Sequence, residues 1–114
     1  MQEIQTPATI TIDDLVKVDI RAGRIKAAEA VPKSELLKLQ VDFGELGTRQ
    51  VLARIGKHYT PESLIETTAA FVVNLPPREM KGQTSNGMIL AAAHDDGVAV
   101  VTLPAIVKPG TVIG

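Results

Sequence analysis

The 114-residue chain has no cysteine and no tryptophan, and its aromatic side chains number one tyrosine and two phenylalanines. Without cysteine there is no disulfide framework and no thiolate zinc site. Two histidines, His58 and His94, are the whole imidazole supply. A site built from both plus Asp95 or Asp96 lacks a recognised metal-ligand spacing. Nothing resembles a nucleophile elbow or a phosphate-cradling glycine loop. The expectation is a non-catalytic protein with no metal and no cofactor. The scarcity of rings also bears on nucleic acids, because single-strand binders stack bases on exposed aromatics. Phe43 and Phe71 fall at expected core positions, which leaves Tyr59 alone and makes a generic single-strand binder a poor fit. No apolar run approaches the ~20 residues that cross a bilayer. The first eleven residues carry Glu3 and no basic segment, so they do not read as a signal peptide. A soluble cytoplasmic protein without a membrane partner is expected.

Net charge is −1, but it is unevenly spread. Residues 1–16 hold three acids and no base, residues 17–57 nine bases against five acids, and residues 58–114 three bases against five acids. Local basic surface rather than bulk charge decides whether phosphates are attracted. Taken alone, the nine bases are equally well explained as ordinary solvent faces of strands.

Hydrophobic periodicity describes a small all-β domain with short helices. Thr11-Ile-Asp-Asp14 has the form of a helix start, with a short helix over residues 12–16. Residues 17–27 alternate as a strand, with Val18, Ile20 and Ala22 read as the inward set and a phase slip at Gly23 read as a bulge. Leu37, Leu39, Val41 and Phe43 alternate with polar residues in a second strand. Residues 49–55 form a third, with Val51, Ala53 and Ile55 inside and Leu52 and Arg54 outside. Thr60-Pro61 opens a second short helix. Two apolar runs, residues 69–75 and 88–93, read as buried strands, and Asp95-Asp-Gly97 as a hairpin turn into a last strand. Pro104 and Pro109 break up a C-terminal extension over residues 104–114, matching an N-terminal arm over residues 1–11. This order fits a single domain over residues 1–114, a five-stranded OB-fold barrel of the kind that binds nucleic acids and oligosaccharides. SH3-like barrels share much of the pattern.

The most informative segment lies between residues 74 and 90. An apolar strand ends at Pro76-Pro77, a short polar loop carries Arg78, Glu79, Lys81, Thr84 and Ser85, and the chain returns through Gly87 to Met88. Loops on a rigid scaffold concentrate binding residues. Recognition of a folded nucleic acid by shape, phosphates and 2′-hydroxyls needs bases and hydroxyls rather than rings, and Lys33, Lys38, Arg54, Arg78, Lys81, Thr84 and Ser85 supply them. Each also has an ordinary structural explanation: Lys38 as a strand-face lysine, Lys33 balanced by Glu35, Arg78 paired with Glu79, Ser85 satisfying loop backbone, Met88 filling the core, and Asn74 bonding the turn.

Taken together, the segments resemble the tRNA-binding domain family, which includes stand-alone tRNA-binding proteins, the C-terminal domain or β-subunit of methionyl-tRNA synthetases, and CsaA-type export chaperones. The landmarks are Val18-Asp-Ile-Arg-Ala-Gly-Arg24, Leu37-Lys-Leu-Gln-Val-Asp42, Tyr59-Thr-Pro-Glu62, Asn74-Leu-Pro-Pro-Arg78 with Met80-x-Gly82 and Ser85-x-Gly-Met88, and Val107-x-Pro-Gly-Thr111. The resemblance implies an OB fold with terminal extensions that often mediate a homodimer. It also implies tRNA as partner, methionyl-tRNA synthetase as a possible second one, and a tRNA-contacting surface at Ser85 and Met88 with Arg78 nearby. Glu79 stands where a base is common in the family's tRNA binders, and Arg54 where a small residue is usual. Asp42-Phe-Gly-Glu-Leu-Gly47 looks closer to the CsaA branch, whereas Ser85-x-Gly-Met88 looks closer to the tRNA-binding branch. The resemblance therefore implies tRNA binding first and a chaperone for unfolded polypeptides as the alternative.

Overall fold

A computed structural model describes residues 8–114. Of the arm expected over residues 1–11, the first seven lie outside the described residues. Helix α1 (Ile12–Leu15) starts at Thr11, whose hydroxyl accepts from the Asp14 amide while the Asp14 carboxylate accepts from the Thr11 amide. This reciprocal cap satisfies two amides that a helix start leaves unpaired.

The barrel is laid down by antiparallel strands β1 (Ile20–Ala30), β2 (Leu37–Asp42), β3 (Thr48–Ala53) and β4 (Thr68–Val72), with α2 (Pro61–Leu64) between the last two. β1 lies between β2 and β4, and β2 pairs on its other side with β3. The free edge of β4 is covered by two short strands in tandem. β7 (Met88–Ile89) pairs with Phe71 and Val72, and β10 (Thr102–Leu103) with Thr68 and Ala69. Between them the Leu90 amide donates to the Ala70 carbonyl, and the Ala70 amide donates to the Val101 carbonyl. The fifth path of the OB-like barrel is thus a composite, from which β8 (Ala91–His94) and β9 (Gly97–Val100) project as a hairpin. The 88–93 run is therefore not one buried strand: Ala91, Ala92 and Ala93 are exposed on the hairpin. His94, at its end, is exposed, and its Nδ1 accepts from the Asp96 amide. The last strand, β11 (Val112–Ile113), pairs with the start of β1.

The core forms where the alternation says it should along β2. Leu37, Leu39 and Val41 point in with Phe43, Val51, Ile55, Leu64 and Phe71. The rings of Phe43 and Phe71 meet edge-to-face at 5.2 Å between centroids, a geometry the ring quadrupole favours. β1 departs from the sequence reading. Gly23 faces inward, where a Cβ would lie 2.6 Å from both the Phe43 ring and a Val41 methyl. The glycine is required by close approach, and the register shift comes later, between Ile25 and Ala27. Ala22, read as inward, faces the other way and is buried beneath the C-terminal segment: its amide donates to the Thr111 carbonyl, and its carbonyl accepts from Gly110. Val18, read as part of the strand, lies in a bend before β1 and is exposed. Tyr59 is half-buried against the core, and its hydroxyl accepts from the Val100 amide at 3.0 Å.

Candidate nucleic-acid interface

The polar loop after Asn74 contains a β-hairpin. β5 (Arg78–Met80) and β6 (Gln83–Ser85) pair through Arg78–Ser85, Glu79–Thr84 and Met80–Gln83, with Lys81-Gly82 as a two-residue turn. Directly opposed residues share a face of an antiparallel pair. Arg78, Met80, Gln83 and Ser85 therefore face one way and Glu79 and Thr84 the other. Met80 lies against Val31, Leu36 and Leu52, a small second core outside the barrel. Leu52 does point out of the barrel as its phase requires, yet it is buried, because the hairpin covers it.

Ser85 is the tie between hairpin and barrel. It is 1% exposed; its Oγ accepts from the Leu52 amide at 2.9 Å and donates to the Gly87 carbonyl at 3.0 Å. Together with the Asn86 amide donating to the Gln50 carbonyl and the Gln50 side chain donating to the Thr84 carbonyl, it fastens β3 to the 83–87 segment. The hydroxyl thus serves the edge of β3, as a strand carbonyl would. It is spoken for inside the protein, so Ser85 acts by placing its neighbours, and the expectation that it meets a ligand directly is revised.

Most of the basic residues between 17 and 57 are likewise engaged in the fold. Arg24 donates to the Thr68 hydroxyl and to the carbonyls of Ala105 and Val107, stapling the C-terminal segment. Arg21 bonds Asp19 and the Gly110 carbonyl, and Arg49 donates to the Val73 carbonyl. Lys17 pairs with Asp14, and Lys26 with Glu66. Lys38 pairs with Glu29 directly across the β1–β2 ladder at 2.6 Å. It sits on the outer face of β2 beside Ala27 and Gln40, away from the hairpin, and the fold does not bring it to the other candidates.

Six cations, Lys33, Arg54, Lys57, Arg78, Lys81 and Lys108, make no ion pair or side-chain hydrogen bond among the described residues. Five of them belong to segments that meet at one end of the barrel. Arg54 and Arg78 line a common hollow of about 310 Å³ with Leu36, Leu52, Met80, Met88 and Ile89. Lys81 is at the tip of the hairpin forming one wall. Lys33 is in the turn whose flanking Val31 and Leu36 pack under that hairpin through Met80. Lys57 follows Gly56, whose amide donates to the Glu35 carbonyl at the base of the same turn. Met88, 39% exposed, combines a place beside the barrel with a free surface. Two carboxylates belong to these segments, Glu35 and Glu79. Glu79 faces away from the hollow and accepts from the Thr84 hydroxyl, so it subtracts less from the field there than its place in sequence suggests.

Lys33 and Lys81 share a second property, which sequence patterning did not single out. Both have left-handed backbone, with φ of 59° and 51°. Left-handed geometry costs an L-residue about 1–2 kcal/mol, and a lysine side chain makes no local hydrogen bond to offset it. Pro32 before Lys33, and the two-residue loop ending in Gly82, were the signals that could have revealed it.

A second hollow of about 760 Å³ lies at the start of β1, lined by Ile12, Leu15, Val16, Val18, Ile20 and Val112 among others. Asn74 braces it. Its side-chain oxygen accepts from the Asp19 amide at 2.9 Å, and its nitrogen donates to the Lys17 carbonyl at 2.6 Å. α1 buries none of its residues within the chain.

Comparison with known proteins gives the family. A family model described as "Putative tRNA binding domain" matches residues 20–112. A methionine–tRNA ligase of Porphyromonas gingivalis is 45% identical over 104 residues, which cover 90% of this chain and 15% of that enzyme. This chain thus corresponds to a small part of its ligase relatives. Among solved structures, a "MetRS related protein" from Pyrococcus horikoshii superposes with a TM-score of 0.88 at 32% identity, covering 95% of this chain and all of the other. The chaperone CsaA of Bacillus anthracis superposes at 0.84 and 33% identity, covering 94% of this chain and all of the other. The chain belongs to the tRNA-binding domain family.

Proposed function

We propose that the chain is a non-catalytic cytoplasmic module that binds tRNA by its folded shape, docking it on the end of the barrel formed by the β5–β6 hairpin, the 31–36 turn and the end of β3. The observation that carries this reading is the sorting of the cations. Lys108 apart, those elsewhere on the barrel are tied to carboxylates or carbonyls, while Arg54 and Arg78 line one hollow unengaged and Lys33 and Lys81 stand unengaged in the turns beside it. Unpaired guanidinium and ammonium groups on rigid strands and tight turns are suited to phosphate and 2′-hydroxyl contacts, which position a folded RNA without reading bases. The absence of a free ring supports shape over base stacking: Phe43 and Phe71 are buried, and Tyr59 is bonded to β9. Met88 provides an apolar contact at the rim.

The apolar hollow beside α1 and β11 is taken by a second copy in this reading, giving a homodimer with two RNA-binding ends. The kinship with methionine–tRNA ligases favours an accessory role, raising the effective concentration of tRNA near such an enzyme. The exposed apolar hollow and the likeness to CsaA favour one other reading, a chaperone for unfolded polypeptides; suppression of aggregation of a denatured model protein would support it.

Filter binding of total tRNA at low salt tests the RNA reading. Retention is expected at micromolar protein. Arg54→Ala and Arg78→Ala should each weaken it and reduce the slope of log K against log salt by about 1, with thermal stability unchanged. No retention by the wild-type protein would remove the proposal.

A further inference from the structure

The two lysines with left-handed backbone sit in turns that other residues would form more favourably. In the β5–β6 hairpin, Met80 pairs with Gln83 across Lys81-Gly82, and both loop residues have positive φ, 51° and 76°. A two-residue hairpin loop with two positive φ angles is the turn for which Asn-Gly is the preferred sequence. Asparagine's short amide bonds local backbone, and it tolerates this region far better than an unbranched aliphatic stem. In the other turn, Lys33 follows Pro32 and takes φ of 59°, the position after proline where glycine or asparagine is favoured. The turn is otherwise well built: the Ser34 hydroxyl donates to the Val31 carbonyl and accepts from the Leu36 amide, and the Val31 amide donates to the Leu36 carbonyl. The geometry is therefore firmly imposed on a residue poorly suited to it.

The third non-glycine residue with positive φ, Glu66, provides the contrast. Its φ is 68°, but its amide donates to the Ile25 carbonyl and its carboxylate pairs with Lys26 at 2.6 Å. Glu66 has partners within the fold; Lys33 and Lys81 have none among the described residues. Both ammonium groups are exposed, and both turns flank the hollow that holds Arg54 and Arg78. Backbone strain that the fold does not use is the pattern expected where a side chain is retained for a ligand.

We infer that Lys33 and Lys81 are phosphate-contacting residues, held in left-handed turns at a cost in stability, which grip the RNA backbone beside the Arg54–Arg78 hollow. The inference rests on the RNA-binding reading and adds to it a trade of stability for affinity at two of its contacts. Because tight turns move little, these ammonium groups are presented with less freedom than lysines on a loose loop, which lowers the ordering cost of each contact.

The test is a paired measurement on Lys33→Asn, Lys81→Asn and the double variant, reading thermal unfolding and binding of total tRNA over a salt series. Each substitution should hold or raise the melting temperature, by about 2–4 °C for Lys81→Asn, where an Asn-Gly turn is created. Each should weaken binding about threefold or more and lower the salt slope by about 1, the double variant by about 2. Lys81→Arg, which keeps charge and backbone strain, should bind like the wild type. Glu66→Gly should not weaken binding. If wild-type protein binds tRNA and the asparagine variants bind equally well, the inference is overturned while the RNA reading stands. If wild-type protein does not bind, both fall. A melting temperature lowered by either asparagine would show that lysine suits its turn and would also overturn the inference.

Discussion

Ser85 shows how one hydroxyl can matter to a binding surface it does not touch. Replacing it with alanine leaves the buried Leu52 amide without an acceptor, and an unsatisfied buried amide costs about 1–3 kcal/mol. Urea unfolding of Ser85→Ala should show a loss of that size. RNA binding should weaken alongside, because Arg78 pairs with Ser85 across the hairpin and Met88 follows the Gly87 carbonyl that the hydroxyl bonds. Full stability in the variant would mean that another acceptor replaces the hydroxyl and that the tie is dispensable. Arg78 and Arg54 have the opposite profile, with no internal partner among the described residues and an effect expected on binding alone. The sequence marked all three as candidates because residue type and position were visible in it. It did not separate Ser85 from the arginines, since the separation depends on which backbone group each side chain meets across the barrel. The engagement of Lys38 is hidden in the sequence for a related reason. Its strand face was legible from the alternation of β2, but its partner Glu29 is set by the register of β1 after the bulge.

At the level of elements, the alternation of β2 and β3 and the proline-led start of α2 were readable from local patterning, because each follows from a single period or cap. Elements that depend on a neighbour were not. The hairpin β5–β6 is three residues a side, too short for its period to stand out, and it exists because Met80 and Leu52 bury one another and Ser85 bonds β3. The split of the fifth barrel path into β7 and β10, with a projecting hairpin, also escapes a one-dimensional reading, since Ala91, Ala92 and Ala93 are as apolar as a core strand. Helix α1 makes a sharper statement. Ile12 and Leu15 are 72% and 50% exposed beside Val16, Val18 and Val112, and contiguous apolar surface on this scale marks an interaction site. In the homodimer reading, Leu15→Glu buries a charge at the two-fold contact. Light scattering should then show dimers for the wild type and monomers for the variant, with the barrel still folded. A monomeric wild-type protein would contradict the role given to α1 and β11.

For the molecule as a whole, a net charge of −1 conceals a division of labour. Four bases elsewhere are paired with acids, Arg24 and Arg49 are bonded to carbonyls, and five of the six unengaged cations among the described residues belong to segments that meet at one end. The sequence disclosed the fold class and the family, because five motifs in order constrain both. It could not disclose which bases are free, since pairing is a property of the folded surface. In the proposed function, that end recognises the folded shape of RNA with no stacking of bases. The most direct measurement is competition for bound labelled tRNA between natively folded tRNA and an unstructured single-stranded RNA of equal length, at one salt concentration. With phosphate number matched, counterion release is nearly common to both, and the difference reports shape. Folded tRNA should compete at least tenfold more effectively. Equal competition, or preference for the single strand, would contradict it.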